Sequence, residues 1–220
     1  MDDSWGARLA RRIEAAGDLP LVRCSLDDLD DLQVGLRACS FTWRGEHVSV
    51  PLGGRHNAAN ALLAAEAALA LGLDASTVAR ALRTGATPVP GRFEPIDAGQ
   101  PFDVLVDYAH TPDGLEKLLS SVRAATAGRV LVVFGCGGDR DRAKRPLMGR
   151  AAADGADLVV VTSDNPRSED PQAIIEAVID GIDDRTHVSV EPDRRAAIAL
   201  ALRQAQPGDV VVVAGKGHET

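Results

Sequence analysis

Apolar runs alternate with helical spacing along the second half of the chain. Near-continuous apolar runs are typical of strands buried on both faces of a sheet, and spacings of three or four residues indicate helices. Strict alternation of the two predicts a parallel sheet with right-handed crossovers and helices on both faces, an α/β fold. The predicted strands are 102–107, 129–134, 158–162, 186–190 and 209–214, and the predicted helices are 112–125, 145–154, 172–181 and 194–206.

The first part of the chain has a less regular pattern. Thr84 to Gly91 contains two glycines and two prolines and has no periodicity, so we interpret it as a linker between two domains, 1–91 and 92–220. Within the first domain the pattern predicts three helices, one strand, an acidic turn and a hairpin that turns at Arg44-Gly45. These elements are helices 3–16, 55–71 and 75–83, strand 19–24, turn 27–31, and hairpin strands 37–43 and 46–50.

Polar residues that could bind a ligand or take part in catalysis follow four of the predicted strands. Because the carboxyl ends of parallel strands meet at one edge of a sheet, these clusters should lie side by side and form a binding or catalytic edge. Stability alone does not require four such clusters. They are Asp107-Tyr108-Ala109-His110-Thr111-Pro112, Gly135-Cys136-Gly137-Gly138-Asp139-Arg140-Asp141-Arg142, Asp164-Asn165-Pro166-Arg167 and Gly215-Lys216-Gly217-His218-Glu219.

The third cluster has the donors and acceptors needed to bind a zwitterion. Asp164 can accept hydrogen bonds from an amine, Asn165 can donate and accept, and Arg167 can fork onto a carboxylate, while Pro166 stiffens the loop. A purely structural role is the alternative, in which the segment is a turn that caps the next helix. The capping residue would then be Ser168 or Asp170.

Other polar residues in these clusters also have structural interpretations. Asp107 could orient a ribose hydroxyl or cap the helix that begins near Pro112, and His110 could contact a nucleotide or make a local hydrogen bond. Lys216 could reach a phosphate or be exposed. We interpret Cys136 as a small residue at a strand end, with no neighbour that marks it as a nucleophile.

Composition excludes several classes of protein. The chain has 220 residues, is 45% hydrophobic and carries a net charge of -8 without any concentration of Lys and Arg, which argues against nucleic acid as a partner. Three widely spaced cysteines without CxxC or Cys/His spacing indicate a reduced, cytoplasmic protein and no metal motif. Neither a signal peptide nor an apolar run of roughly 18 residues appears, so we expect no membrane association.

Two nucleotide-binding motifs are incomplete or missing. The glycine-rich segment after the second strand has Arg140 where GxGxxG requires its third glycine, which weakens a dinucleotide interpretation. A phosphate loop of the form GxxxxGKS or GxxxxGKT does not occur, because Gly215-Lys216 is followed by Gly217.

Five motifs in order resemble the Mur ligase family, in its MurE-type branch that adds meso-diaminopimelate. The resemblance spans nearly the whole chain and implies a Rossmann-like C-terminal domain, preceded by an incomplete central domain in residues 1–91. The motifs are Asp107-Tyr108-Ala109-His110-Thr111-Pro112, Phe134-Gly135-Cys136-Gly137-Gly138-Asp139-Arg140-Asp141, Lys144-Arg145-Pro146-Leu147-Met148-Gly149, Asp164-Asn165-Pro166-Arg167 and Gly215-Lys216-Gly217-His218-Glu219.

The resemblance implies an ATP- and magnesium-dependent ligase of cell-wall peptidoglycan synthesis. The carboxylate of UDP-N-acetylmuramoyl-L-alanyl-D-glutamate would be phosphorylated to an acyl phosphate, which the amine of meso-diaminopimelate then attacks. An arginine that grips the distal carboxylate would select against lysine, which lacks that group. By motif, the residues that hold diaminopimelate would be Arg140, Asp164, Asn165, Pro166, Arg167, Gly215 and Glu219.

The resemblance also implies nucleotide contacts in both domains. Asn57 and Asn60 resemble adenine-contacting residues, Arg92 a phosphate-contacting arginine and Asp107 a ribose-binding residue, and His110 belongs to the same motif. The family's UDP-binding domain, phosphate loop and magnesium ligands have no counterpart here, so we expect a C-terminal fragment without ligase activity of its own. Its uncovered apolar edges should favour self-association.

Two alternatives remain open from the sequence. One is a non-catalytic binding or regulatory protein that is derived from a Mur ligase and has lost ATP turnover. The other is a different α/β enzyme, such as a folylpolyglutamate synthetase relative or another amino-acid ligase. The Asp164-Asn165-Pro166-Arg167 segment argues against the second alternative.

Overall fold

The computed structural model describes residues 4–17, 20–85 and 87–217. The chain divides into two compact units, Met1–Thr87 and Pro88–Thr220. The division falls inside the segment from Thr84 to Gly91 that lacks periodicity.

The first unit packs helices against a three-stranded antiparallel sheet of order β1-β2-β3. Arg44 (φ 50°) and Gly45 (φ 82°) form the turn between β2 and β3, and two successive positive φ values are the geometry of a tight hairpin turn. The predicted hairpin is therefore confirmed. The elements are α1 Ser4–Ala16, a 3-10 turn Leu26–Asp28, β1 Asp30–Val34, β2 Cys39–Trp43, β3 Glu46–Val50, α2 Arg55–Ala70 and α3 Ala75–Gly85.

One prediction for the first unit was wrong, and another was right for only part of its range. Residues 20–24 lie outside any strand, while residues 18 and 19 fall outside the described chain. The predicted acidic turn is a 3-10 turn capped by Ser25, followed directly by β1. A strand requires a partner, and β1 takes the free edge of β2, with Val34 opposite Cys39. Its apolar side chains pack into the core around Phe41. The charged residues of 27–31 hid this apolar pattern in the sequence.

The second unit has a six-stranded sheet of order β4-β5-β9-β6-β7-β8. The five strands from β5 onward are parallel, as predicted, but β4 is an antiparallel edge strand that the sequence analysis missed. With three residues and a central proline, β4 is too short to show alternation. The strands are β4 Glu94–Ile96, β5 Asp103–Asp107, β6 Val130–Phe134, β7 Leu158–Val161, β8 Val188–Val190 and β9 Val210–Ala214.

Helices cover both faces of this sheet. On one face, α7 buries Ala197 and Ala201 against Leu131, Val133 and Val211 of the central strands. Since successive strand residues point to opposite faces, the intervening residues of β6 face the layer that α4, α5 and α6 form. The helices are α4 Pro112–Ala125, α5 Lys144–Gly155, α6 Pro171–Ile179 and α7 Arg194–Gln204.

A buried carboxylate ties together the amino-terminal edge of the sheet. Asp209 is 4% exposed and accepts hydrogen bonds from the backbone N–H groups of Arg129 and Gln206. It also accepts from the Arg129 side chain, with Nη2 2.6 Å from Oδ2. Burial by itself raises the pKa of Asp209, but the hydrogen bonds from Arg129 and Gln206 outweigh it and leave the pKa below its usual value.

We expect Asp209→Asn to lower the free energy of unfolding by about 2 kcal/mol at pH 7, because it weakens several bonds to a buried charge. A carboxylate with a lowered folded pKa stabilises the protein above its unfolded pKa of about 4 and loses that contribution as the pH falls. In denaturant unfolding, the difference between variant and wild type should therefore begin to shrink below about pH 4 and disappear as the pH falls through the folded pKa of Asp209. The exposed Asp154→Asn is the control; a pH-independent difference would contradict the assignment.

Candidate functional site

Four strand ends with polar clusters are neighbours in the sheet. The order β5-β9-β6-β7 places Asp107, Ala214, Phe134 and Val161 at one edge, with Asp107 opposite Ala214 and Phe134 opposite Val161. The prediction that these ends share one edge is confirmed. The candidate site is the set of loops that follow these four strands.

The loops after β6 and β7 are joined through their backbones. The Gly138 N–H donates to the Asn165 carbonyl at 2.8 Å, and Arg167 Nη1 donates to the Gly138 carbonyl at 2.5 Å. A Cβ on Gly138 would overlap the Pro166 carbonyl oxygen, so this close approach requires glycine. Since a guanidinium carries five N–H donors, the bond to Gly138 does not exhaust the capacity of Arg167.

Arg140 and Arg167 both lie near Gly137. The position that a Cβ would take on Gly137 lies 3.2 Å from Arg167 Nη1 and 4.0 Å from Arg140 Cγ. Both arginines are exposed in the described structure. The Asn165 carbonyl oxygen lies 3.6 Å from the same position. Two arginines near one glycine could together bind a carboxylate, which arginine binds with paired N–H donors.

Asp164 faces the end of β9. Its Oδ2 lies 3.7 Å from the position that a Cβ would take on Gly215, a residue with φ 111°. The Gly135 carbonyl oxygen lies at the same distance from that position. A carboxylate and a backbone carbonyl that converge on one glycine are acceptors suited to an ammonium group.

Arg194 is a candidate that the sequence analysis missed. It begins α7, and its Nη2 donates to the carbonyl of Ala214, the last residue of β9. Its Nη1 is buried and has no hydrogen-bond partner among the described residues. Burial lowers the pKa of Arg194, and the nearby charge of Asp164 acts in the opposite direction. Because Arg194 lies about 30 residues from Asp164 in the sequence, no local pattern links them.

Glu169 was also missed, although it follows the Asp164–Ser168 segment directly. Its side chain is 11% exposed and pairs with Arg145, whose side chain is 4% exposed. Hydrogen bonds from Arg145, followed by one from the backbone N–H of Asp139, lower the pKa of Glu169 to about 2. Arg145 is thus buried and paired, whereas Arg140 and Arg142 are exposed.

Asp107 organises the loops near β5. Its two carboxylate oxygens accept from the backbone N–H groups of Phe93 and Ala109, each at 2.7 Å. The turn thus held places the Arg92 guanidinium 4.3 Å from the centre of the Tyr108 ring. The His110 ring contacts the same tyrosine edge-on, and His110 Nδ1 lies 3.0 Å from the Tyr108 carbonyl oxygen. Arg92, Asp107 and His110 are therefore neighbours in space.

The structure also assigns the capping roles that the sequence left open. Thr111, and not Asp107, caps α4, because its side chain accepts from the Gly114 N–H. Asp170, one of the two residues predicted to cap α6, accepts from the Gln172 N–H. Capping therefore does not occupy Asp164 or Arg167. Burial raises the pKa of Cys136 to about 11, which keeps the thiol protonated at neutral pH.

Three predicted site residues lie elsewhere or outside the described chain. Asn57 and Asn60 belong to the first turns of α2 in the first unit, where Asn57 Nδ2 donates to the Gly53 carbonyl at 2.8 Å and Asn60 is exposed. Glu219 falls outside the described residues, as does His218.

Neither a membrane-spanning helix nor a cluster of metal ligands occurs among the described residues. Across 4–17, 20–85 and 87–217, no helix combines the length and apolar character required to cross a bilayer. Over the same ranges, no three His, Cys, Asp or Glu side chains converge as metal ligands, so we assign no metal ligands to these residues.

Comparison with known proteins assigns the class. The family model described as Mur ligase, glutamate ligase domain, matches residues 91–217. The chain belongs to the Mur ligase family. Within that family it is similar to UDP-N-acetylmuramoyl-L-alanyl-D-glutamate--2,6-diaminopimelate ligases.

Two curated relatives illustrate the similarity. The ligase of Gloeobacter violaceus is 48% identical over 99% of this chain and 45% of its own length. The ligase of Streptomyces coelicolor is 44% identical over 100% of this chain and 46% of its own length. The chain thus spans about half the length of the curated relatives it matches.

Solved structures lead to the same fold. A UDP-N-acetylmuramoyl-L-alanyl-D-glutamate--2,6-diaminopimelate ligase matches with a TM-score of 0.64 and 38% identity, over 97% of this chain and 46% of its own. The folylpolyglutamate synthase of Mycobacterium tuberculosis, complexed with ADP and AMPPCP, matches with a TM-score of 0.65 and 26% identity over 85% of this chain and 44% of its own.

Proposed function

We propose that this chain is the diaminopimelate-binding part of an ATP-dependent ligase of peptidoglycan synthesis. The observation that carries the proposal is that one edge of the sheet holds Arg140 and Arg167 near Gly137 and Asp164 near Gly215. Meso-diaminopimelate has a distal amino-acid head with one carboxylate and one ammonium group. The arginines would bind the carboxylate, and Asp164 with the Gly135 carbonyl would accept from the ammonium. Glu219 is assigned to the same ligand by its motif.

The ligand would be held so that its other amine is free to attack an activated carboxyl group. ATP, when bound, supplies the phosphoryl group that activates the carboxylate of the UDP-linked dipeptide. Arg92, held over Tyr108 by the turn that Asp107 anchors, is a cation suited to a phosphate group. His110, Asn57 and Asn60 are the further nucleotide-contacting residues of this proposal.

The proposal extends to the location of the protein and to its self-association. The free thiols of Cys24, Cys39 and Cys136 support a cytoplasmic location, since reducing conditions preserve thiols. Self-association through uncovered apolar edges of the first domain stays a prediction.

Calorimetry on the purified chain tests the proposal with two matched ligands. We expect meso-diaminopimelate to bind at least tenfold more tightly than lysine, because lysine leaves the arginines without a carboxylate partner. Circular dichroism should first establish that the sample is folded. Equal affinities, or no heat with either ligand in a folded sample, would refute a diaminopimelate site in this chain.

A further inference from the structure

Glu169 joins three separate segments through one carboxylate. Its Oε1 accepts from the Asp139 backbone N–H at 2.7 Å and from Arg145 Nη2 at 2.7 Å. Its Oε2 accepts from Arg145 Nη1 at 3.1 Å and lies 3.1 Å from Arg142 Nη2. The loop after β6, the first turn of α5 and the loop after β7 therefore meet at a single side chain.

A second connection runs in parallel between the same loops. The Asp139 carboxylate accepts from Ser168 Oγ at 2.8 Å and from the Ser168 backbone N–H at 3.2 Å. Asp139 (φ 51°) and Arg167 (φ 50°) both have left-handed backbones, which non-glycine residues adopt only when their surroundings hold them. The bonds at Ser168 and Glu169 supply that constraint on each loop.

The buried pair is poorly explained by stability alone. Moving Arg145 and Glu169 out of water costs free energy, and apolar residues of similar size often stabilise a core at least as well. Arg145 Nε is moreover buried without a hydrogen-bond partner among the described residues. The pair fixes the distance between two loops, which apolar residues could not do.

We propose that Arg145 and Glu169 are positioning residues that set the selectivity of the amino-acid site. The pair fixes the distance between two loops. One loop contains Asp139 and its neighbour Arg140, and the other contains Arg167. At this distance both guanidinium groups would reach the same carboxylate. Displacement by about 1 Å is enough to impair such a site. The selectivity part rests on the proposed function, whereas the clamping of the loops does not.

Hydrogen exchange followed by mass spectrometry or NMR tests the clamp without any ligand. We expect Glu169→Ala to raise amide exchange at Gly138 and Asp139 at least tenfold, while the amides of β6 and β7 keep the wild-type rate. Glu176→Ala is the matched control, because Glu176 is an exposed carboxylate on α6. Arg145→Met should reproduce the effect, and Arg145→Lys, which keeps the charge without the fork, should fall between it and wild type.

Binding on the same variants tests selectivity. Glu169→Ala should reduce the preference for meso-diaminopimelate over lysine at least tenfold, chiefly by weakening diaminopimelate. Faster exchange that is uniform across the second unit would assign the pair to global stability and overturn the proposal, as would unchanged exchange at Gly138 and Asp139. If wild type binds neither ligand, the proposed function and the selectivity role both fail, while a localised exchange increase would still establish the clamp.

Discussion

Arg167→Ala is expected to weaken binding of meso-diaminopimelate by about 100-fold, or about 2.7 kcal/mol, and to change lysine binding by less than about threefold. The difference arises because only diaminopimelate presents the distal carboxylate that the guanidinium would bind. Calorimetry with both ligands on wild type and variant measures it directly.

Two further variants separate recognition from general effects of charge. Arg203→Ala removes an exposed arginine at the end of α7, close to the opposite edge of the sheet, and should leave both affinities unchanged. Arg167→Lys keeps the charge but loses the fork, and should bind diaminopimelate with intermediate affinity. Loss of lysine and diaminopimelate binding to the same extent would show that Arg167 supports the loop through Gly138 and does not read the carboxylate.

Gly149→Ala is expected to lower the free energy of unfolding of the second unit by about 2 to 3 kcal/mol. Gly149 lies in α5 where this helix crosses α6, and an added Cβ would overlap the Val178 carbonyl oxygen and lie 3.1 Å from Ile182 Cγ1. Because the Val178 carbonyl belongs to the backbone of a packed helix and cannot move by itself, the two helices must move apart. Thermal unfolding should show a midpoint lower by roughly 10 °C.

Gly85→Ala provides the control for this substitution. Gly85 is the last residue of α3, and a Cβ there meets no atom within 4 Å. The variant should be as stable as wild type or slightly more stable, because alanine loses less conformational entropy on folding. A Gly149→Ala protein with wild-type stability would mean that the α5–α6 contact is looser than the structure indicates.

The second unit was largely predictable from its apolar pattern. The helix predicted over 112–125 is α4 to the residue, and β6, β7 and β9 each lie within one residue of their predicted bounds. Long buried strands and amphipathic helices carry strong periodic signals. Errors concentrated where the signal was short or depended on pairing: β4 has three residues, and β1 is a strand because β2 offers it an edge.

The sequence predicted which loops form the candidate site, but not the hydrogen bonds and ion pairs that connect them. Asp164, Arg167 and Gly215 could be named because each follows an apolar run at a strand end. Glu169 and Arg194 gave no such signal, since one follows the motif and the other begins a distant helix. Their roles come from partners remote in sequence, namely Arg145 for Glu169 and Ala214 for Arg194.

The order of residues along the chain was sufficient to indicate an α/β architecture and to locate its polar strand ends, because strand and helix periodicities are local properties of neighbouring residues. Only the folded chain placed β9 between β5 and β6, brought Arg140 and Arg167 close to Gly137, and paired Arg145 with Glu169. These arrangements depend on contacts between segments that are distant in sequence, and such contacts form only when the sheet and its helices pack together.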